Sequence, residues 1–115
     1  MLTIDESRSP KGVVTLRLHG ELDSATSPLL EDAFADAIEK SPLGIVAEIA
    51  SLDFIGAAGF RCLEVAQQSA RAKGRTFVVV ANPWQLKIAT VVGDLKLTIR
   101  LVEGPEGWRM QALAA

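Results

Sequence analysis

The sequence predicts an α/β fold: a mostly parallel, mixed sheet with an antiparallel strand at its N-terminal edge and a helix after each parallel strand. Three observations carry this expectation. Short β-branched runs alternate with longer stretches of helical apolar spacing, a rhythm that implies right-handed crossovers and parallel pairing. Residues that start or stop helices fall at the joints, at Ser27-Pro28, Gly74, Asn82-Pro83 and Gly93. The first two apolar runs are separated only by Ser9-Pro10-Lys11-Gly12, enough for a turn but not for a helix.

Taken in order, Leu2 to Ser7 alternates weakly, as an edge strand does. Val13 to His19 alternates clearly, with Val14, Leu16 and Leu18 on one face and Thr15, Arg17 and His19 on the other. Ser27 supplies a hydroxyl to cap a helix, Pro28 suits its first position, and Glu31 and Asp32 suit the positive end of its dipole. Leu30, Ala33, Phe34, Ala37 and Ile38 then recur at helical spacing, until Ser41-Pro42-Leu43-Gly44 ends the element. Gly44 to Ala50 reads as a compact strand and Ser51 to Ile55 as a loop. A helix from Ala57 to Lys73 stops at Gly74. Thr76 to Ala81 is dense in β-branched residues, as a buried strand is. Asn82-Pro83 opens a third helix, closed by Gly93, and Leu97 to Val102 alternates again as a strand. Pro105 to Leu113 is expected to form a short terminal helix pinned by Trp108. Trp84 is expected to pack against the sheet edge. A thioredoxin-like or ferredoxin-like sandwich is the alternative architecture, but there is no C-x-x-C for the former and the rhythm fits the latter poorly.

A chain of 115 residues fits one domain, 1–115. Its net charge of −2 gives no basic face for nucleic acid. The densest basic stretch, Arg71, Lys73 and Arg75, falls at an expected helix end, where the dipole welcomes cations. The one cysteine, Cys62, excludes an internal disulfide and any site needing two thiolates, and its setting is that of a small core side chain. The N-terminus lacks a signal pattern, and the apolar run Phe77 to Ala81 is too short to cross a bilayer, so the expectation is cytoplasmic, with no membrane partner.

His19, Glu21 and Asp23 alternate and would face one side of an extended chain, a set that could ligate a metal or exchange protons. Gly20 is expected to bend the chain between them, and a histidine on a polar strand face is usually solvated. No phosphate-binding or dinucleotide-binding glycine pattern is present, and the single histidine has no nucleophilic partner in sequence. The chain therefore reads as a non-enzyme, with no cofactor and no metal.

The most informative stretch is Leu52-Asp53-Phe54-Ile55-Gly56-Ala57-Ala58-Gly59-Phe60-Arg61-Cys62-Leu63. It follows a parallel strand and opens a helix, where α/β folds place functional sites, and its small residues admit another backbone. This stretch resembles the motif of STAS domains, in which an apolar pair precedes Asp-Ser-Ser-Gly or Asp-Ser-Thr-Gly and then Leu. Gly20-Glu21-Leu22-Asp23, followed by Thr26, is similar to that family's Gly-Glu-Leu-Asp segment, and the Asn82-Pro83 start and Gly93-Asp94-Leu95 stop agree.

The resemblance implies an anti-sigma-factor antagonist, which binds an anti-sigma factor that is itself a serine kinase. Phosphorylation of the second hydroxyl residue of the motif switches such binding off. By the same resemblance the partner-binding residues are Asp23, Gly56, Ala57, Ala58, Gly59 and Phe60. Here the chain departs from the family: Gly56 stands at the Asp position, Ala57 at the first hydroxyl and Ala58 at the phosphoacceptor. Alanine has no oxygen to receive a phosphoryl group. Two expectations follow, a constitutive antagonist that docks through Ile55 to Leu63, or a STAS scaffold that forms a homodimer or serves another complex.

Overall fold

The computed structural model describes residues 1–102 and the backbone of residues 108–113. Strand β1 (Leu2–Arg8) turns back into β2 (Val13–Leu22), and the two pair antiparallel from Leu2↔Gly20 to Arg8↔Val14, as the short connection requires. Helix α1 (Ser27–Lys40) leads to β3 (Gly44–Glu48), and a short strand β4 (Leu52–Ile55) to helix α2 (Ala57–Ala72). Then come β5 (Thr76–Ala81), α3 (Pro83–Val92), β6 (Leu97–Val102) and β7 (Trp108–Leu113). The sheet runs β1-β2-β3-β5-β6-β7, with β4 branching from β2. The β2–β3, β3–β5 and β5–β6 pairs are parallel, and β1 and β7 are antiparallel to their neighbours.

Alternate residues of the central strands form one buried layer: Leu16 and Leu18 of β2, Ile45 and Ala47 of β3, Phe77 and Val79 of β5, Leu97 and Ile99 of β6. The helices cover this layer, and the rings of Phe34 and Phe77 meet at 5.4 Å. Each large aliphatic or aromatic side chain buried here contributes about 1.5–3 kcal/mol relative to leaving it in water.

Three expectations are corrected. The segment expected as a terminal helix is β7, paired with β6 from Leu97↔Leu113 to Val102↔Trp108. Without it β6 would end the sheet on an open row of N–H and C=O groups, and satisfying those outweighs local helical spacing. The anchoring role expected of the Trp108 side chain lies outside the described residues. At α1, Ser27 lies inside the helix and Thr26 is the cap residue, without a side-chain cap bond. The Ser27 hydroxyl instead donates to the Asp23 carbonyl at 2.6 Å, and neither Glu31 nor Asp32 falls in the first turn.

The basic cluster at the end of α2 has structural partners. Arg71 donates to Thr98, Lys73 pairs with Glu39 at 2.6 Å, and Arg75 donates to the Ser41 and Lys73 carbonyls. At α3, the Asn82 side chain accepts from the Gln85 N–H while Gln85 accepts from the Asn82 N–H, a reciprocal cap that fixes where the helix begins.

Candidate functional site

The site begins where β2 bends. Gly20 sits at φ +98°, a conformation side chains rarely adopt, and the register of β2 shifts between Gly20 and Glu21. Beyond the bend, β2 leaves β3 and pairs in parallel with β4, Glu21↔Phe54 and Leu22↔Ile55. The expected loop at Ser51 to Ile55 is thus largely a strand. Its burial runs buried, exposed, exposed, buried, with Leu52 and Ile55 inward and Asp53 and Phe54 outward. That pattern lacks the two-residue period by which strands are recognised.

Two loops meet at the open end of this branch. In the first, Asp23 Oδ1 accepts from the Ala25 and Thr26 N–H groups, both at 3.0 Å. Thr26 Oγ1 lies 2.9 Å from the Glu21 carbonyl and accepts from the Asp23 N–H. The Asp23 side chain therefore clamps its own loop. In the second, the Gly56 N–H donates to the Leu22 carbonyl at 3.2 Å, and the Gly56 carbonyl accepts from the N–H groups of Gly59 and Phe60. The carbonyl at the end of β2 thus holds the start of α2 in place.

The resemblance-derived residues divide by burial. Ala57 and Ala58 are exposed on the first turn of α2, and Gly56 is half-buried beneath the edge of the Phe54 ring. Gly59 is buried against Ile55 and Leu22, and Phe60 has no exposed surface. A side chain with no exposed surface cannot touch a partner, so Phe60 enters the site only by holding the loop from below.

His19, Glu21 and Asp23 are not brought together. His19 Nε2 faces Asp5 at 3.5 Å, Glu21 binds the Met1 ammonium at 2.6 Å, and Asp23 is engaged in its loop. No group of three or more possible ligand side chains is assembled among the described residues. Cys62 is buried, and burial pushes its thiol up to about 11, far from the range of a reactive thiolate. Trp84, expected against the sheet edge, is 67% exposed. The cap of α3 aims Gln85 and Ala89 at the sheet and turns Trp84 outward.

The clamp at Asp23 gives a testable pH dependence. The Thr26 backbone hydrogen bond, outweighing partial desolvation, holds the carboxyl below its ordinary value of 3.8. The folded value is depressed, so the stabilisation is fully present above the ordinary range and is lost as pH falls through the lowered value. Carboxyl carbon NMR should show Asp23 titrating below 3.8. A midpoint at or above that value would remove the clamp.

With this geometry in view, the STAS domain model matches residues 6–103. The chain belongs to the STAS domain family. Over 52 residues the STAS chain is 31% identical to the anti-sigma-F factor antagonist RsfB of Mycobacterium tuberculosis, a stretch that covers 45% of this chain and 43% of that relative's length. A crystal structure of an anti-sigma factor antagonist from Mycobacterium paratuberculosis superimposes with a TM-score of 0.73 at 25% identity, covering 86% of this chain and 85% of that one. The anti-sigma factor antagonist SpoIIAA in its unphosphorylated form shares the fold, with a TM-score of 0.68 at 16% identity over 89% and 90% of the two chains. No described helix of this STAS chain is long and apolar enough to cross a membrane.

Proposed function

We propose that this STAS chain is an antagonist-like binding module that docks an anti-sigma factor of the serine-kinase type through Ile55 to Leu63, without phosphorylation control at Ala58. The observation that carries this reading is the pair Ala57 and Ala58, exposed on the first turn of α2 beside the Asp23 loop. The likeness to named anti-sigma factor antagonists supports it.

A phosphate would bring about −1.5 to −2 charges to such a surface, enough to undo docking through repulsion and desolvation. Two alanines offer no oxygen to carry it, and their methyl groups desolvate at little cost. The module then stays competent whatever the kinase does.

Binding of the purified chain to an anti-sigma-factor kinase from the same genome, followed by calorimetry, tests this. Ala58→Asp is expected to weaken binding at least about tenfold, a change of roughly 1.4 kcal/mol. Its fold should hold, because a carboxylate at a helix N-terminus is favourable. Ala58→Ser should become phosphorylated by the kinase with ATP. Equal binding by wild type and Ala58→Asp would sink the proposal. A wild-type homodimer that buries the loop and ignores the kinase would establish the scaffold alternative.

A further inference from the structure

Helix α3 is apolar in an unusual way. Its sequence, Pro83 to Val92, carries a single charge, at Lys87, yet the side chains it buries are Gln85 and Ala89. Leu86, Ile88 and Val92 pack half-buried against the core, but Trp84 is 67% exposed and Val91 83% exposed, so apolar surface also remains on the outer side. Trp84 and half-buried Ile88 lie four residues apart on one side of the helix, with Ile88 also packed against the core. Scattered apolar side chains are common on surfaces, but these converge with another. Phe54 on β4 is 52% exposed, and it shares with Trp84 a cleft of about 260 Å³ between β4 and α3.

The cleft lies where β4 branches from β2 and, among the described residues, pairs with no strand on its other side. Leu52, Ile55 and Ile88 also line it, and Asp53 is the one charged lining residue among the described residues. Its volume falls below the roughly 300–1,000 Å³ of small-molecule sites and suits a single large side chain. Asp53 is exposed and forms no ion pair among the described residues. Phe54 ties this cleft to the α2 loop, since its ring lies 3.4 Å from where a Cβ on Gly56 would sit. The exposed alanines, Phe54 and Trp84 thus belong to one continuous surface.

We infer that docking extends from the α2 loop across Phe54 to α3, where the partner inserts one large apolar side chain into the β4–α3 cleft and sets a basic residue against Asp53. This inference rests on the proposed anti-sigma-factor partner and specifies how that partner is gripped. Aromatic side chains around a small apolar cleft are the usual seat of a binding hot spot, and a desolvated carboxylate at its rim selects a cation.

The test is calorimetry of the full chain with the same kinase, alongside the Ala58→Asp variant. Trp84→Ser is expected to weaken binding at least about tenfold, with an unchanged melting curve because the side chain is largely exposed. Asp53→Lys should weaken binding more than Asp53→Asn. Partner addition should shift the tryptophan emission to the blue, and the shift should vanish in Trp84→Phe. If Ala58→Asp loses binding while Trp84→Ser and Asp53→Lys bind as wild type, the extension is overturned and the loop reading stands. If wild type binds no such kinase, both fall together. If the chain alone forms a dimer that Trp84→Ser dissolves, the occupant is a second copy and the inference is overturned.

Discussion

Phe60→Ala is expected to lower the unfolding free energy by about 3–5 kcal/mol. The ring has no exposed surface and is among the largest fully buried side chains of the core. It lies on the first turn of α2, next to Gly59, which is itself buried against the ends of β2 and β4. Truncation removes the ring's burial and leaves a cavity that two hydrogen-bonded segments cannot readily collapse to fill. A domain of this kind has only about 5–15 kcal/mol in all, so the variant should show a large fall in its urea midpoint. The same variant separates support from contact. Under conditions where it remains folded, its affinity for a partner should fall far less than that of Trp84→Ser, because no atom of Phe60 reaches the surface. A folded Phe60→Ala protein with a hundredfold loss of affinity would mean that the buried ring sets the position of the docking turn rather than only its stability.

The division between what the sequence foretold and what it hid follows the range of the interactions involved. Val14, Leu16 and Leu18, the stripe from Leu30 to Ile38, and the Asn82-Pro83 start of α3 depend on neighbours within a few residues, and all are where the pattern puts them. Strand β4 was hidden because it has four residues and exposes two adjacent ones, Asp53 and Phe54. Its partner strand is set by the bend at Gly20, more than thirty residues earlier. Strand β7 was hidden because its partner β6 supplies the reason for it to be extended. At the candidate site, the motif names a segment but does not tell which residues of the first helical turn face outward, Ala57 and Ala58 rather than Gly59 and Phe60. Trp84 was misplaced for a related reason: a Pro-started helix can turn its first tryptophan either way, and the Gln85 bond to the Ile49 carbonyl at 2.7 Å decides it.

Gly59→Val carries the second large expectation, and here two effects of opposite sign compete. By helix propensity alone, replacing a glycine within a helix gains up to about 1 kcal/mol. The space around Gly59 reverses that. A Cβ built there would lie 2.9 Å from Ile55 Cγ1, 2.9 Å from Leu22 Cγ and 3.0 Å from the Leu22 carbonyl oxygen. That oxygen is backbone, and it already accepts the Gly56 N–H that holds the loop. It cannot move aside without releasing the start of α2. Valine adds two further methyl groups to this contact, so a net loss of about 2–3 kcal/mol is expected in denaturant titration, with a smaller loss for Gly59→Ala. A valine variant as stable as wild type would mean that α2 can slide away from β2. If the junction is as tight as these distances indicate, any valine protein that does fold must have shifted the first turn of α2. Ala57 and Ala58 would move with it, so its docking should weaken even though Gly59 itself is buried.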